Sequence, residues 1–293
     1  MKLTIENLSK RYANGVQALT DVNLEITNGM FGLLGPNGAG KSTLMRILAT
    51  LQEADTGNVR LDDIDVLTEK LAVKRVLGYL PQEFDFFAKE TARGLLNHFA
   101  VLKGLKQKRE REMAVERLLD SVNLLDAAKQ KLGTFSGGMK QRFGIALVLL
   151  GSPKLIIVDE PTAGLDPEER KRFHNILSEI GENIIVILST HIVEDVSDLC
   201  GRMAVINKGR IVMQGRTLST IESMKGKIWE KKIPRDQLEF YEQNHRVLSS
   251  RLFAGDTFIR VYCESPPAEN FIPAEAKLED AYFFYQNDKN WEG

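Results

Sequence analysis

A glycine-rich segment, residues 35–43, constrains this chain more than any other part of its sequence. It reads Gly-Pro-Asn-Gly-Ala-Gly-Lys-Ser-Thr and fits the pattern G-x-x-x-x-G-K-[ST] of a phosphate-binding loop. An apolar run at 30–34 precedes it, and a helical pattern that starts at Leu44 follows it. The sequence therefore predicts a strand, a loop and a helix in succession, which is the context that this motif requires.

The residue types in this loop suit the phosphates of a nucleotide. Backbone N–H groups and the positive end of a helix dipole bind anions, and glycines at positions 35, 38 and 40 favour close approach and positive φ. Lys41 would place a charge on the terminal phosphates, and the Ser42 hydroxyl would ligate Mg²⁺. The predicted nucleotide-binding residues of the loop are Gly35, Pro36, Asn37, Gly38, Ala39, Gly40, Lys41, Ser42 and Thr43.

A second motif is an apolar strand that ends in two acids, residues 155–160. The carboxyl ends of strands in α/β sheets are where ligands bind, so these side chains are expected near the phosphates. Asp159 fits the coordination shell of Mg²⁺, and Glu160 fits a general base that polarises the attacking water. The alternative is that the two acids only cap a helix near Pro161.

The third motif, residues 135–142, begins a helix with Ser136 followed by Gly137 and Gly138. Such a helix start binds anions through its backbone N–H groups. Taken alone, such a start is more often just an ordinary serine N-cap.

Strands alternate with helices along the first part of the chain, which predicts an α/β fold with a mostly parallel central sheet. The expected fold class is a P-loop NTPase with an antiparallel β subdomain and a helical insert at about 89–150 that forms its own lobe. The composition changes after about residue 218, so residues 218–293 are predicted to form a small C-terminal α+β accessory domain, and 1–217 the nucleotide-binding domain.

Composition and charge narrow the class of function. Charged residues make up 27% of the chain and the net charge is −1, which argues against nucleic acid as a partner. The apolar runs are too short to predict a transmembrane helix, and the amino terminus lacks a signal-peptide core. We therefore expect a cytoplasmic protein that reaches a membrane only through a partner.

Together these segments resemble the ATP-binding subunit of an ABC transporter. Residues 35–43 resemble the Walker A loop, residues 136–141 the ABC signature and residues 155–160 the Walker B strand. The likeness covers about residues 1–215, with its motifs in the family's order. Met139 departs from the pattern, because many members have glutamine there; the Met-Lys-Gln-Arg segment is familiar from the type-2 exporter branch.

Further residues match positions that act in this family. Tyr12 resembles the aromatic residue that stacks on adenine, and Gln82 resembles the Q-loop glutamine. Asp166 lies in a D-loop-like segment, 163–166, and His191 resembles the switch histidine. The alternatives are structural: core packing for Tyr12, a strand-end cap for Gln82 and a hydrogen-bonded structural histidine for His191.

The resemblance implies a division of roles. The expected catalytic residues are Glu160, His191, Lys41 and Gln82. The expected ligands of Mg²⁺ are Ser42, Gln82 and Asp159. The expected ATP contacts outside the loop are Tyr12, Gln82, Ser136, Gly137, Gly138 and Asp166.

Members of this family work as dimers, with ATP between the Walker A loop of one copy and the signature of the other. The implied partners are a second copy of the domain, giving a homodimer, and a membrane-embedded permease subunit. The implied function is an ATP-hydrolysing subunit that powers this separate permease at the inner face of the cell membrane.

Residues 276–283 resemble an ending common in type-2 exporter ATPases, which favours an exporter. The rivals are a soluble ABC ATPase that acts as a conformational clamp and a regulatory or immunity module without transport.

One aromatic segment allows two interpretations. Residues 84–87, Phe-Asp-Phe-Phe, follow Gln82 closely, in a region that borders the permease-binding groove in the family. Contact with a membrane partner and packing in the chain's own core are equal alternatives.

Overall fold

A computed structural model describes residues 1–82, 88–181, 184–267 and 270–286. The aromatic segment 84–87 lies outside the described residues. The strands are β1 (Lys2–Arg11), β2 (Gln17–Thr27), β3 (Gly29–Leu34), β4 (Thr56–Leu61), β5 (Ile64–Asp65), β6 (Leu77–Leu80), β7 (Leu155–Asp159), β8 (Ile185–Thr190), β9 (Arg202–Asn207), β10 (Arg210–Arg216), β11 (Ile228–Ile233), β12 (Arg246–Phe253), β13 (Asp256–Tyr262) and β14 (Ile272–Pro273). The helices are α1 (Lys41–Leu48), α2 (Lys70–Val76), α3 (Ala92–Leu102), α4 (Lys108–Ser121), α5 (Gly137–Leu149), α6 (Pro167–Ile180), α7 (Val193–Leu199), α8 (Thr217–Ser223), α9 (Leu238–Asn244) and α10 (Leu278–Gln286), with 3₁₀ turns at Leu132–Thr134 and Arg235–Gln237.

The central sheet has six strands in the order β10-β9-β3-β8-β7-β6. Neighbouring strands run parallel except for the β9–β10 hairpin. Every residue of β7 and β8 is buried, as expected for strands covered on both faces. Leu34 pairs with Thr190 and Asp159 pairs with Ser189, so β3, β7 and β8 end at the same edge.

An antiparallel sheet, in the order β2-β1-β4-β5, covers one side of α1. One apolar cluster joins this sheet, α1 and one face of the central sheet, with members such as Leu3, Leu44 and Ile187. The first strand is longer than the sequence suggests. The pattern of apolar and turn residues predicts strands at 3–8 and 16–26 with a turn between them, but Lys10 and Arg11 still pair with β2 across a bulged register.

The helical insert packs onto the other face of the central sheet. Buried side chains of α3 and α5, such as Leu96 and Phe143, share one cluster with Ile156 and Val158 of β7. The insert was expected to form a lobe of its own, but its core is continuous with the sheet. Helix α5 is buried around most of its circumference, so its sequence does not have the one-sided apolar pattern of a surface helix.

The C-terminal segment forms a four-stranded sheet in the order β12-β13-β11-β14. The sequence predicts strands at 225–233, 246–253 and 258–264 and a helix at 234–244, and β11, β12, β13 and α9 lie close to these positions. Helix α10 packs against two parts of the chain. Ala281 shares an apolar cluster with Ile228 and Leu248 of this sheet, and Tyr282 is buried in another cluster with Leu34, Leu188 and Val196, beside the ends of β3 and β8. The last described helix therefore contributes to the core of the nucleotide-binding unit.

This packing predicts that α10 supports the stability of the whole chain. Tyr282→Ala should lower the free energy of unfolding by about 3 kcal/mol, because it empties a buried site of a large ring. Urea denaturation followed by circular dichroism measures this change. Leu218→Ala, at a side chain that is 78% exposed, is the control and should cost less than about 0.5 kcal/mol. A similarly small loss for Tyr282→Ala would contradict the packing.

Candidate functional site

The phosphate-binding loop joins β3 to α1 with the backbone that its glycines allow. Gly38 has φ 79° and Gly40 has φ 106°, both in the left-handed region as expected. The expectation of positive φ is wrong for Gly35. A Cβ on Gly35 would lie 2.5 Å from the carbonyl oxygen of Ile206, so this glycine permits close packing of the loop on β9.

The loop borders a cavity of about 350 Å³ that collects most of the predicted site residues. The described residues that line it are Tyr12, Val16, Gln17, Ala18, Pro36, Asn37, Gly38, Gly40, Lys41, Ser42, Thr43, Gln82, Glu160 and His191. Gly35 and Ala39 are buried, and neither is among these lining residues. Sequence reasoning missed residues 16–18; their position just after Tyr12, at the start of β2, was the available signal.

Lys41 lines this cavity, and its ammonium group makes three close contacts there. Its Nζ atom donates to the carbonyl oxygens of Gly35 at 2.6 Å and Pro36 at 3.2 Å. It also lies 3.4 Å from Oε1 of Glu160. The side chain is buried, so the charge is directed at the cavity instead of at bulk water. A phosphate group in the cavity would meet a cation that is already held in position.

Glu160 and His191 form a close pair across the ends of β7 and β8. The Oε2 atom of Glu160 lies 2.7 Å from Nδ1 of His191. The Glu160 backbone is in the left-handed region, with φ 49°, and its N–H donates to the carbonyl of Ser189 at 2.8 Å. A buried carboxylate next to an imidazole can accept a proton from water, which is the chemistry of a general base.

Asp159 ends β7 as a buried carboxylate that lacks full compensation. Burial raises its pKa, and so does the charge of Glu160, while the hydroxyls of Ser189 and Ser42 favour the charged form. Among the described residues, nothing donates a hydrogen bond to its Oδ1 atom. An orphaned carboxylate oxygen near the Ser42 hydroxyl fits a hard divalent cation, which prefers oxygen ligands.

Tyr12 and Gln82 lie at the rim of the cavity. The Tyr12 hydroxyl is 3.0 Å from Oγ1 of Thr43 and donates to Oε1 of Gln52 at 3.2 Å. The hydrogen bond with Thr43 lowers the pKa of Tyr12. Gln82 is exposed and follows β6, with Pro81 between them.

The third motif lies elsewhere on the chain. The Ser136 side chain accepts a hydrogen bond from the Met139 N–H at 3.2 Å and so caps α5. Of the described residues that line the cavity, none comes from residues 136–138. Gly138 is buried, and a Cβ there would clash with the Glu169 carboxylate. Gly137 is exposed, and a Cβ there would meet nothing within 4 Å.

Asp166, like Ser136, caps a helix of its own chain. It caps α6, because its Oδ1 atom accepts from the Glu169 N–H at 2.9 Å. Glu169 in turn pairs with Arg142 of α5 at 3.2 Å. The segment that carries Asp166 is therefore tied to the helix that carries the third motif.

The fold and this site define a P-loop nucleotide-binding ATPase. The family model described as ABC transporter matches residues 19–163. A dimeric ATP-binding cassette, whose structure represents a post-hydrolysis state with ADP and Pi, is similar at a TM-score of 0.67 and 26% identity, over 73% of this chain and 98% of that one. This likeness confirms the predicted fold class.

Curated relatives point to the same family. The uncharacterized ABC transporter ATP-binding protein YxlF of Bacillus subtilis is 35% identical, over 78% of this chain and 80% of its own length. The daunorubicin/doxorubicin resistance ATP-binding protein DrrA of Streptomyces peucetius is 33% identical, over 87% of this chain and 75% of its length. This chain belongs to the ABC transporter family, as an ATP-binding protein with ATPase activity. No helix in the described part of the chain has both the length and the apolar character to cross a bilayer.

Removing the charge of Asp159 should have opposite effects on the stability of the chain and on its ATPase activity. In metal-free buffer at neutral pH, Asp159→Asn should raise the free energy of unfolding by about 1 kcal/mol, because it removes a buried charge that its neighbours compensate only in part. The folded pKa lies above the unfolded one, so the wild type loses stability as pH rises between them, and the advantage of Asn should vanish below about pH 4. ATPase activity should fall by roughly 100-fold.

Urea denaturation at several pH values and steady-state hydrolysis measure these two effects. Asp63→Asn, at an exposed aspartate, is the control and should change neither quantity. Lower stability of Asp159→Asn at neutral pH would show that the native carboxylate is already compensated.

Proposed function

We propose that this chain is the ATP-hydrolysing subunit that drives a separate membrane permease of an export system, and that it acts as a pair of copies. The names of relatives support export: DrrA is a resistance protein for daunorubicin and doxorubicin, and LnrL of Bacillus subtilis is a linearmycin resistance protein. LnrL is 35% identical, over 73% of this chain and 68% of its length. These names favour transport over a soluble clamp or an immunity module.

The single observation that carries the paired arrangement is the position of the third motif. The helix start at Ser136 and Gly137 is exposed, and it lies apart from the described lining of the cavity that contains Lys41. Such a helix start stabilises an anion near its N–H groups. A second copy could bring it to the γ-phosphate bound by Lys41, which would make ATP part of the interface.

Residue roles follow from the cavity. Lys41 would hold the β- and γ-phosphates, and Tyr12 would contact the base. Glu160 would take the proton of the attacking water, with His191 beside it to orient the carboxylate and contact the γ-phosphate. Mg²⁺, when bound, would supply charge neutralisation of the phosphates, and its proposed ligands are Ser42, Gln82 and Asp159. The proposed contacts from the second copy are Ser136, Gly137, Gly138 and Asp166.

The proposal extends to the partner and the domain division. The permease would hold the chain at the inner face of the cell membrane, with no nucleic acid involved. Residues 1–217 would form the ATP-binding domain, with its helical part at about 89–150, and residues 218–293 the accessory domain. Closure of the two copies on ATP, and release after hydrolysis, would then drive the permease.

Glu160→Gln tests this function directly. The variant should bind ATP but hydrolyse it on the order of 100-fold more slowly, because glutamine keeps the shape of the side chain and cannot accept the proton. With ATP and Mg²⁺ it should therefore accumulate as a dimer. Size-exclusion chromatography with light scattering measures the mass, and phosphate release measures turnover.

Two variants in the Glu160→Gln background separate the parts of the proposal. Gly137→Asp should bind ATP normally and stay monomeric, because the open space at Gly137 accepts a side chain within one copy and the added charge would repel phosphate across the interface. Lys41→Ala should bind no ATP. A Glu160→Gln protein that remains monomeric with ATP bound, even with its permease present, would refute the paired site; wild-type turnover would refute the base.

A further inference from the structure

Asp195 of α7 is a fully buried carboxylate that makes contacts to three separate segments of the chain. Its Oδ2 atom accepts from the Thr162 hydroxyl at 2.5 Å and lies 3.4 Å from the Thr190 hydroxyl. Its Oδ1 atom lies 2.8 Å from Nε of Arg170 and 2.8 Å from Nε2 of His174, both on α6. The two oxygens therefore divide their partners between the ends of two strands and one helix.

The partners of the Oδ2 atom stand next to the catalytic pair. Thr162 lies two residues after Glu160, on the segment that leaves β7. Thr190 is the last residue of β8 and immediately precedes His191. A single buried oxygen thus joins the two segments that place Glu160 and His191 at 2.7 Å from each other.

Asp195 is held as an anion in this position. Burial opposes its ionisation, but hydrogen bonds from His174, Thr162 and Arg170 outweigh burial, so its pKa is lowered. Hydrogen bonds to a charged acceptor in a protein interior are shorter and stronger than neutral ones. The Thr162 contact, at 2.5 Å, is of this strong kind, whereas the Thr190 contact, at 3.4 Å, is longer and weaker.

The geometry of Glu160 requires such support. Its backbone lies in the left-handed region, and a residue other than glycine stays there only where its surroundings hold it. The Glu160 N–H bond to Ser189 ties it to β8 on one side. The Thr162 hydroxyl, bound to Asp195, holds the chain on the other side.

We propose that Asp195 is a positioning residue for ATP hydrolysis, which aligns Glu160 and His191 by holding Thr162 and Thr190 on one carboxylate oxygen. It touches neither substrate nor reacting atoms and acts through its two threonine partners. Its contacts with Arg170 and His174 fix the same carboxylate to α6, the helix that Asp166 caps. The inference rests on the proposed roles of Glu160 and His191.

Asp195→Asn tests the proposal in the full-length chain. Asparagine keeps the shape of the side chain but loses the charge and cannot accept from all four partners. We expect kcat for ATP to fall by about tenfold or more, because even a small displacement of a catalytic group slows the reaction strongly. KM for ATP should stay within about twofold, because the contacts of Lys41 with the loop are unchanged.

A matched variant controls for lost stability. Asp280 is also an almost fully buried aspartate, with two contacts of 2.8 Å to Arg260 in the C-terminal unit. Asp280→Asn should lower the midpoint of denaturation as Asp195→Asn does, yet leave kcat within about twofold of the wild type. An equal loss of kcat in Asp280→Asn would show that general destabilisation explains the effect, which would overturn the proposal.

A double-mutant cycle with His191→Ala measures whether the two substitutions are coupled in their effect on kcat. A purely structural role of Asp195 would give no such coupling. If Asp195 acts through the catalytic pair, Asp195→Asn should reduce kcat less in the His191→Ala background than in the wild type, because only its effect on Glu160 remains there. Multiplicative effects of the two substitutions on kcat would refute the proposal.

Thr162→Val removes only the hydroxyl contact and is the variant to use if Asp195→Asn does not fold. It should lower kcat by about threefold or more at unchanged KM.

The outcomes also separate this inference from the function on which it rests. An inactive Glu160→Gln protein together with a fully active Asp195→Asn protein would reject the positioning role alone. A fully active Glu160→Gln protein would reject the proposed base first.

Discussion

The parallel pairing of β3, β7 and β8 is the constraint on which the rest of this structure depends. Leu34 lies opposite Thr190, and Asp159 lies opposite Ser189, so the three strands end at one edge of the sheet. The segments that follow them carry Lys41, Glu160 and His191 into one cavity. Because β7 and β8 are buried at every residue, the edge is stiff, and contacts of 3.4 Å and 2.7 Å between these side chains can be maintained.

Two features at this edge of the sheet are energetically unfavourable for the folded chain, and neighbouring segments stabilise them. Asp159 is buried with an oxygen that no described residue satisfies, and Glu160 has a strained backbone. Both features are costly in isolation and are typical of sites that await a charged ligand. The Asp195 carboxylate joins the segments that follow β7 and β8, so part of this support comes from a residue outside the lining of the cavity.

Much of the fold and of the site was predictable because its signals are local. A glycine-rich loop between an apolar run and a helix, and an apolar strand that ends in two acids, are each contiguous in sequence. The expectation of positive φ was wrong for Gly35, whose small size instead makes room for Ile206, a residue far away in sequence. Gly138 is also needed for its small size, because Glu169 occupies the space that a side chain would fill there. The core that the insert shares with the central sheet is a third case, because its apolar residues do not reveal which face of which sheet they will cover.

The sequence by itself determined the class of this protein, because phosphate binding and water activation need particular residue types at fixed short spacings, as in 35–43 and 155–160. It also determined most strands and helices, through periodicity and turn residues. Only the tertiary structure decided that Asp195 joins the segments of Glu160 and His191 and that α10 packs beside the ends of β3 and β8. It also decided that the helix start at 136–138 lies apart from the described lining of the cavity. Those relations join residues that are distant in sequence, and they arise from the strand order and from the packing of buried side chains, which no local pattern encodes.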